Sequence, residues 1–592
     1  MKISLRQHLI PGLRKSEHRV ALRFRPPLPG LSTELRGELT HWFAPQVMEQ
    51  AESGQLEAVV HTPPGVYQYK FRTADGKWHL DDNNPRTRSH GGLQNSLLVV
   101  GGTDEPVMHA PALPFVFVRP DGRLCVRAGL RKSDGPAQLR LRCFGDQATD
   151  HPMQLRAEED EHWLFEAHLP ASERSLDYCF VLASGRIVGT GGSGQALRVH
   201  LKEVTKSAPS FWSDAVVYTV LLDRFRRGAG QPFLQPPDER ARFGGDLAGV
   251  RDALPYLQDL GVTVLHLTPL SMSYSAHRYD AVNPLQVDPA LGGETELRKL
   301  IEAAHERGLH VLLDLVLTHV HRDFLPFCDV RQSGPKSAFW HWFYCQRHPF
   351  TEGDPSGPGY AHYQKGRWQE PLLRTDHEEV ATYLMQQCAH FLQLGADGFR
   401  LDAAADVPLG LLRLLRATAH AVKPTALLLG EITTDNVARF TVDALDCATD
   451  FSHQQLLQAW LVEKTLCGQQ LGAQLQRRAW LQGPAQTSLV FTATHDQPRL
   501  LSRVSDVRRV RLAHLMTLLS EHIPAIYYGD EIGLHSNQSG RNFEDAWPDR
   551  MPMRWDRTDW DLQTLALFKQ ALQLRHQWQA LRTGDCDFLP TP

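Results

Sequence analysis

Four short segments of the chain carry acidic side chains directly after runs of apolar residues. In chain order they read DLVLTH, GFRLDAA, GEI and FTATHD. Asp402, Glu431 and Asp496 stand where the last three runs end, and Arg400 and His495 belong to the same segments. Carboxyl groups that converge in one site can act as general acid, general base or nucleophile. The pattern therefore favours an enzyme whose catalytic carboxylates come from separate strands.

From about Phe211 onward, apolar strands alternate with amphipathic helices, a pattern typical of βα units and a parallel sheet. The candidate strands are AVVYTVLL, VTVLHLTPL, HVLLDLVL, GFRLDA, ALLLGEI, CATDF, SLVFTA and PAIYYGDE. Runs such as LRKLIEAAHERG have the apolar period expected of helices in an outer ring. Eight such units predict a closed (β/α)8 TIM-type barrel, in which catalytic groups lie at the C-terminal ends of the strands.

The four segments together resemble the catalytic motifs of the α-amylase family of glycoside hydrolases and transglycosidases. Further matches are WSDAVVYTVLLDRF, HRYDAVNPLQVDPALGG, IPAIYYGDEIGL and RMPMRW. The resemblance implies that Asp402 is the nucleophile, Glu431 the general acid and base, and Asp496 a third carboxylate that binds the sugar and helps to distort its ring. It also implies a set of substrate-binding side chains, namely Tyr279, Asp280, Asp314, His319, Arg400, His495 and Arg499.

Several positions depart from the family pattern. Thr318 stands where many members have a calcium-binding Asn, and Ala405 and Asp406 replace a common Lys-His pair. Because a Thr hydroxyl is a poorer ligand for a hard cation than an amide carbonyl, we expect no metal ion there. Thr433 replaces an aromatic residue that is usual in cyclomaltodextrinases, whereas EPLLRTDHEEV resembles a divergent form of that group's extra motif. The chain thus most resembles the cyclomaltodextrinase, neopullulanase and maltogenic amylase group.

From about Val20 to Val100 the chain alternates apolar and polar side chains over short runs, which predicts an antiparallel β-sandwich over residues 1–103. This region resembles the glycogen-binding module of AMP-activated kinase β-subunits. The resemblance assigns sugar contacts to Trp42, Lys70, Trp78 and Asn95. An aromatic ring can pack on a glucose ring, and amide or ammonium groups can bind its hydroxyls. The alternative is a purely structural role for the two tryptophans.

The rest of the chain divides into a second β-sandwich over residues 104–205 and the barrel over residues 206–592. A long aromatic and proline-rich segment, residues 321–376, follows the third strand, and the resemblance implies an inserted small domain that walls the substrate cleft. The sequence stops where the family's C-terminal β-domain would begin, so we expect that domain to be absent, either naturally or by truncation. The flank of the barrel left exposed by that absence makes a homodimer one expected arrangement.

Composition argues against several classes of partner. The net charge of −4 and the pI of about 6.7 give no large field of one sign, so neither a nucleic acid nor an anionic membrane is an expected partner. The N-terminal sequence lacks the apolar core of a secretory signal, which predicts a cytoplasmic location. The nine cysteines form no CxxC pairs, and we expect reduced thiols and no cofactor.

These observations predict a retaining hydrolase of α-1,4-glucosidic bonds in maltooligosaccharides, cyclodextrins or related glucans. The first alternative is a transglycosidase that passes the same covalent intermediate to a sugar acceptor. The second alternative is a non-catalytic, glycogen-binding scaffold. The three carboxylates argue against the scaffold, because a protein without activity has no physical need for all of them in one rim.

Overall fold

Antiparallel strands make up the N-terminal part of the protein, as the alternating pattern predicts. The computed structural model describes residues 17–28, 30–40, 46–51, 54–90, 93–103, 106–170, 174–189, 196–204, 208–354, 357–364, 366–433, 437–538, 544–584 and 586. The first strands are β1 (His18–Phe24), β2 (Thr33–Gly37), β3 (Gln46–Val47), β4 (Glu49–Gln50), β5 (Leu56–Thr62), β6 (Gly65–Thr73), β7 (Trp78–His79), β8 (Thr87–His90) and β9 (Leu93–Val100). They form two sheets with the strand orders β1-β5-β4 and β3-β2-β6-β9-β8, and β7 pairs with β6.

A second antiparallel region follows. Its strands are β10 (Val107–Met108), β11 (Val116–Val118), β12 (Arg123–Arg131), β13 (Leu139–Phe144), β14 (Thr149–Pro152), β15 (Gln154–Glu158), β16 (His162–Pro170), β17 (Ser175–Leu182), β18 (Ile187–Val188) and β19 (Leu197–His200). One sheet has the order β10-β12-β16-β15 with β11 on β12, and the other has the order β14-β13-β17-β18 with β19 on β17. Their inward side chains share one apolar core.

The remaining chain forms a closed parallel barrel surrounded by helices. From the start of the helical part, the elements are α1 (Leu201–Val204), β20 (Val217–Val220), α2 (Leu222–Phe225), α3 (Leu247–Leu260), β21 (Val264–Leu267), β22 (Ser271–Ser273), β23 (Ala281–Val287), α4 (Gly293–His305), β24 (His310–Val316), α5 (Leu325–Ser333), α6 (Glu378–Gln393), β25 (Gly398–Asp402), α7 (Leu409–Val422), β26 (Leu427–Gly430), α8 (Val437–Thr441), β27 (Cys447–Thr449), α9 (Phe451–Leu461), α10 (Gly468–Gln482), β28 (Ser488–Phe491), α11 (Leu500–Arg503), α12 (Val507–Leu518), β29 (Ile523–Tyr527), α13 (Leu562–Gln577) and α14 (Ala580–Thr583). The strand order around the barrel is β20-β21-β24-β25-β26-β27-β28-β29. Each predicted strand run supplies one barrel strand, so the predicted barrel is confirmed.

Local sequence signals set the ends of the barrel helices. In α3, the Asp246 side chain accepts a hydrogen bond from the N–H of Gly249, which caps the helix start. The same helix ends at Gly261, whose φ of 98° lies in the left-handed region that favours glycine. Between these ends, Leu254 and Leu257 are three residues apart on one face of the helix, and both are buried in the apolar core of the barrel. Every helix in the described ranges is too short or too polar to span a lipid bilayer.

The segment between β24 and α6 departs from the regular barrel pattern. It contains α5 and single antiparallel bridges such as that between His319 and Leu372. Phe327 contacts the rings of Phe343 and Tyr360 with centroids 4.7 and 4.9 Å apart. These aromatic residues belong to the same apolar cluster as the outward-facing strand residues Val311 and Leu401 and the helices packed on them. The segment is therefore packed onto the barrel, and its status as a separate inserted domain stays a prediction.

The second antiparallel region and the barrel share part of one core through Trp480 of α10. Its ring is 2% exposed and meets Phe115 edge to face with centroids 5.6 Å apart. Trp480 Nε1 donates a hydrogen bond of 3.1 Å to the carbonyl oxygen of Phe165 in β16. In return, Arg127 Nη1 of β12 donates to the carbonyl oxygen of Trp480 at 2.7 Å. Residues of both regions thus satisfy each other's buried polar groups.

A buried carboxylate also joins all three parts of the protein. Glu159, directly after β15, lies 3.2 Å from Arg88 of β8 and 2.8 Å from Arg477 of α10. All three side chains are largely buried. Because removing one partner of such a pair leaves an uncompensated charge, this contact opposes separation of the regions.

Replacing Trp480 with alanine should lower the free energy of unfolding by about 3–5 kcal/mol, the usual cost of truncating a buried aromatic residue. Trp578→Ala is the matched control, since that ring is 62% exposed. Differential scanning calorimetry of the full chain should show a clearly lower Tm for the first variant and little change for the second. Equal shifts would contradict the shared core.

Candidate active site

Adjacent barrel strands bring three carboxylates around one guanidinium group. Asp314 pairs with Arg400 in the register of β24 and β25, and Asp402 follows two residues later on the same face of β25. Arg400 Nη1 donates to both oxygens of Asp314 at 3.0 Å and to Oδ1 of Asp402 at 2.8 Å. Its Nη2 lies 2.7 Å from Oε1 of Glu431, the residue directly after β26. One buried positive charge therefore holds side chains from three neighbouring strands.

The turn after Asp402 is shaped by the second carboxylate. The N–H of Ala403 donates a hydrogen bond of 2.9 Å to Oε2 of Glu431. Ala403 has φ 44° and ψ 40°, in the left-handed region. That conformation costs a residue with a Cβ on the order of 1 kcal/mol, and residues held in it tend to occur at functional sites. Both oxygens of Glu431 are thus engaged, one by Arg400 and one by this turn.

The third predicted catalytic carboxylate is held by a separate network. Arg550 Nη2 donates to Oδ1 of Asp496 at 2.8 Å, and its Nε donates to the carbonyl oxygen of His495 at 2.5 Å. The hydroxyl of Tyr279 lies 2.7 Å from Nε2 of His495 and donates to Oδ2 of Asp314 at 2.8 Å. The rings of Tyr279 and His495 are nearly parallel, at an angle of 9°. This network connects the Asp496 side of the site with the Arg400 side.

Burial and neighbouring charges set opposite pKa directions for these groups. Burial raises the pKa of Asp402 and of Glu431; Arg400 opposes both shifts, and the charge of Glu431 raises the pKa of Asp402 further. Two interacting carboxyl groups titrate as a pair, so the buried pair can hold one proton between them. Burial alone would also raise the pKa of Asp496, but His495, Arg550 and Arg400 hold it below its ordinary value. The site thus combines two carboxyl groups whose pKa is raised with one whose pKa is lowered.

Asp402, Glu431 and Asp496 all line one cavity of about 320 Å³, together with Tyr279 and His319. The cavity lies at the C-terminal ends of the barrel strands, where barrel enzymes carry their sites. Its size falls within the range of pockets that hold small molecules. Another cavity, of about 390 Å³, lies between the two antiparallel regions and helices α9 and α10, and no predicted site residue lines it.

Comparison with known proteins agrees with this geometry. The model of the alpha amylase catalytic domain matches residues 219–573. The chain belongs to the α-amylase family. The model named for the glycogen recognition site of AMP-activated protein kinase matches residues 20–105.

Individual relatives narrow the comparison within the family. Neopullulanase 2 of Thermoactinomyces vulgaris is 31% identical over 81% of this chain and 86% of its own length. A cyclomaltodextrinase of Geobacillus thermopakistaniensis is 32% identical over 82% of this chain and 86% of its own length. A solved structure of a cyclomaltodextrinase superimposes with a TM-score of 0.72 at 27% identity, over 81% of this chain and 86% of that one. The chain is therefore a glycoside hydrolase similar to these proteins.

The other predicted substrate-binding residues of this α-amylase family site divide into those that line the cavity and those that support its wall. His319 lines the cavity, and burial lowers its pKa to about 3, so the ring stays neutral. Asp314 and Arg400 do not line the cavity. They lie behind its wall, where Arg400 contacts Asp314 and the lining residues Asp402 and Glu431. Asp280 accepts hydrogen bonds from Ser273, at 2.7 Å, and from Ser275. Asp280 therefore supports the wall of the cavity and does not line it.

Arg499 differs most from its predicted place. Its side chain is fully buried, and Nη1 donates to Oδ1 of Asp530 at 2.6 Å while Nη2 donates to the carbonyl oxygen of Tyr528 at 2.7 Å. Its backbone N–H donates to Oδ2 of Asp549 at 2.9 Å. Because the guanidinium is used inside the protein, the structure does not bring Arg499 to the cavity, and its predicted substrate contact is corrected to a structural role.

Two site residues are not singled out by the sequence analysis. Arg550 opens the motif RMPMRW, which the sequence marks only as a family landmark, yet it binds Asp496 directly. His266 lies in the second barrel strand, with Nε2 3.4 Å from Oδ2 of Asp314 and Nδ1 3.2 Å from the hydroxyl of Thr219. A polar side chain inside the apolar run VTVLHL is the available signal, since inward positions of barrel strands meet at one centre.

Of the positions that depart from the usual family pattern, three line the cavity and one contacts a residue that lines it. Ala405, Asp406 and Thr433 line the cavity, so these departures change its surface. Thr318 Oγ1 lies 2.9 Å from Nδ1 of His319, so its hydroxyl is engaged by a site residue. Thr433 is directly followed by positions outside the described residues.

Within the described residues, Cys125, Glu166 and His168 are grouped closely enough to offer three metal ligands. This group lies in the second antiparallel region, away from the cavity. Arg127 already occupies one side of it, with Nε 2.6 Å from Oε2 of Glu166. That fixed positive charge opposes a bound cation, so we assign no metal to the group.

Three of the predicted glucan-binding residues, Lys70, Trp78 and Asn95, lie on one sheet face of the first antiparallel region. Lys70 points away from the core side chains of β6, and Trp78, which stands opposite β6 in the hairpin register, is 49% exposed. Asn95 Nδ2 donates to Oε1 of Gln68, a residue on the same face as Lys70, at 3.1 Å. Trp42 lies outside the described residues. The shared face fits the predicted role, which stays a prediction.

Replacing Arg400 with methionine should move the acid limb of the pH profile of kcat/KM upward by about 1–3 pH units. The sign follows from charge, since loss of the cation raises the pKa of each adjacent carboxyl group and delays ionisation of Asp402 to higher pH. The measurement is hydrolysis of maltoheptaose by folded protein, checked by circular dichroism.

Arg400→Lys is the matched variant, because it keeps the charge but not the two-armed geometry. It should show a smaller shift of the acid limb than Arg400→Met. An unmoved acid limb in the methionine variant would contradict the electrostatic role of Arg400.

Proposed function

We propose that the protein hydrolyses α-1,4-glucosidic bonds of maltooligosaccharides, cyclodextrins or related glucans with retention of configuration. The observation that carries this proposal is the shared contact of Asp402 and Glu431 with the guanidinium of Arg400, beside a cavity that both carboxyl groups and Asp496 line. Retaining glycosidases need two carboxyl groups close to each other on either side of the scissile bond.

In the first step, Asp402 attacks C1 of the bound glucose while Glu431 transfers its proton to the leaving oxygen. The C1–oxygen bond of the glycoside breaks, and an ester bond forms between C1 and the carboxylate of Asp402. The hydrogen bond from Arg400 supports the ionised form of Asp402 before attack. The raised pKa of Glu431 supports its role as the acid.

In the second step, a water molecule attacks C1 on the face of the sugar opposite the ester bond. Glu431, now ionised, accepts the proton of that water, and the ester bond breaks to release the sugar in its original anomeric configuration and free Asp402. Asp496 stays ionised because of its neighbours, and it binds hydroxyl groups of the same sugar. Positive charge that develops on the ring in both steps is stabilised by these carboxylates.

The names of the relatives support the substrate class. Cyclomaltodextrinase and neopullulanase indicate a cyclic maltodextrin and pullulan as substrates of those proteins. The overall charge of −4 and a cavity lined by both polar and aromatic side chains suit a neutral sugar chain in this protein as well. The glycogen-recognition module and the face that carries Lys70, Trp78 and Asn95 support a second contact with the same type of polymer.

The test is product analysis after incubation with γ-cyclodextrin, maltoheptaose, pullulan and soluble starch. Small linear products whose α-anomer appears first in a ¹H NMR time course are the expected result. Glu431→Gln should lower kcat by about 10²–10⁴-fold, the usual contribution of a general acid. Glu378→Gln is the matched control, because this carboxylate is exposed at the start of α6.

Each other outcome points to a different function. Products longer than maltoheptaose would indicate a transglycosidase that passes the intermediate to a sugar hydroxyl. Glycogen binding without turnover of any substrate would overturn the enzyme proposal and favour a binding scaffold.

A further inference from the structure

Glu370 is a further acidic side chain of the cavity wall, in addition to Asp402, Glu431 and Asp496. It lines the same cavity as Asp402 and Glu431 and is 7% exposed. Its Oε1 accepts a long hydrogen bond, 3.4 Å, from Nη1 of Arg367. Its Oε2 is buried and has no hydrogen-bond partner among the described residues. An unpaired buried carboxyl oxygen is costly, and the side chain that carries it lines a binding cavity, so a ligand held there can supply the missing partner to the carboxyl group.

Backbone hydrogen bonds hold Glu370 in the wall of the cavity. The carbonyl oxygen of Glu370 accepts from the N–H of Tyr363 at 2.9 Å, and its N–H donates to the carbonyl oxygen of Arg367 at 3.0 Å. The Tyr363 ring stacks on His319 with centroids 4.2 Å apart and an angle of 14°. Glu370 therefore belongs to a pre-formed wall that also carries a predicted sugar-binding histidine. A fixed polar group of this kind can select among substrates without taking part in the bond cleavage.

The charge state of Glu370 suits a neutral partner. Burial raises its pKa to about 7; Arg367 of its own turn opposes this shift, and Asp280, from the segment before β23, adds to it. His319, on the β24 side, is neutral over the same range. A protonated carboxyl group offers one O–H donor and one acceptor, which match a sugar hydroxyl, whereas the ionised form only accepts.

We propose that Glu370 is a specificity-determining residue, whose carboxyl group binds a hydroxyl group of the glucan chain held in this cavity. The inference rests on the proposed function, because it requires a neutral sugar chain beside Asp402 and Glu431. Glu370 opens the segment EPLLRTDHEEV, the divergent form of the group's extra motif.

The test compares KM and kcat for maltoheptaose between pH 6 and pH 8 in four full-length proteins: the unaltered chain, Glu370→Gln, Glu370→Ala and the exposed control Glu378→Gln. For the unaltered chain, KM should rise about tenfold over this range as the O–H donor is lost. Glu370→Gln keeps the size and an N–H donor, so its KM should stay nearly constant and close to the low-pH value of the unaltered chain. Glu370→Ala should raise KM at pH 6 by about tenfold, with a much smaller change in kcat.

The contrary outcomes are distinct. If the unaltered chain hydrolyses maltoheptaose but Glu370→Ala keeps its KM, or the rise of KM with pH persists in Glu370→Gln, the role of Glu370 is overturned while the proposed function stands. If the unaltered chain turns over no glucan, both fail together. A parallel rise of KM in Glu378→Gln would show a general charge effect and would also overturn the assignment.

Discussion

The active site depends on one buried cation that serves three anions. Burying a carboxylate without a partner costs several kcal/mol, and Asp314, Asp402 and Glu431 are all held by the guanidinium of Arg400. Arginine suits this place because its planar fork offers several fixed donors and stays charged at every relevant pH. The compensation is incomplete for the pair Asp402 and Glu431, whose pKa values stay raised. Burial thus outweighs the single positive charge, which favours retention of a proton by the pair.

The barrel makes such a shared cation possible. Parallel strands in register place Asp314 beside Arg400, and alternation along β25 returns Asp402 to the same side. Tyr279 then links Asp314 to His495, so the second group of site residues is tied to the first by hydrogen bonds and not only by the fold. Geometry of this type is set before any substrate arrives, which is the condition for electrostatic stabilisation of a transition state.

Much of this could be predicted from the sequence, because apolar runs mark the strands and the ends of those strands carry the chemistry. The eight barrel strands and the convergence of Asp402, Glu431 and Asp496 on one cavity follow from that rule. Arg499 shows its limit, since proximity to a motif in the chain does not tell whether a side chain turns inward or toward the site. Arg550 shows that distance along the chain does not exclude a residue from the site, because it lies 54 positions after Asp496, the carboxylate that it binds.

The tryptophan that α10 places in the core of the second antiparallel region bears on how this protein could have been assembled in evolution. An appendage that can be exchanged by recombination keeps its apolar surface to itself. Here the barrel side chain fills that core, and main-chain carbonyls on each side accept bonds from the other. A transplanted barrel would expose an indole, and a transplanted strand region would contain a void. The two have therefore to be inherited as one unit.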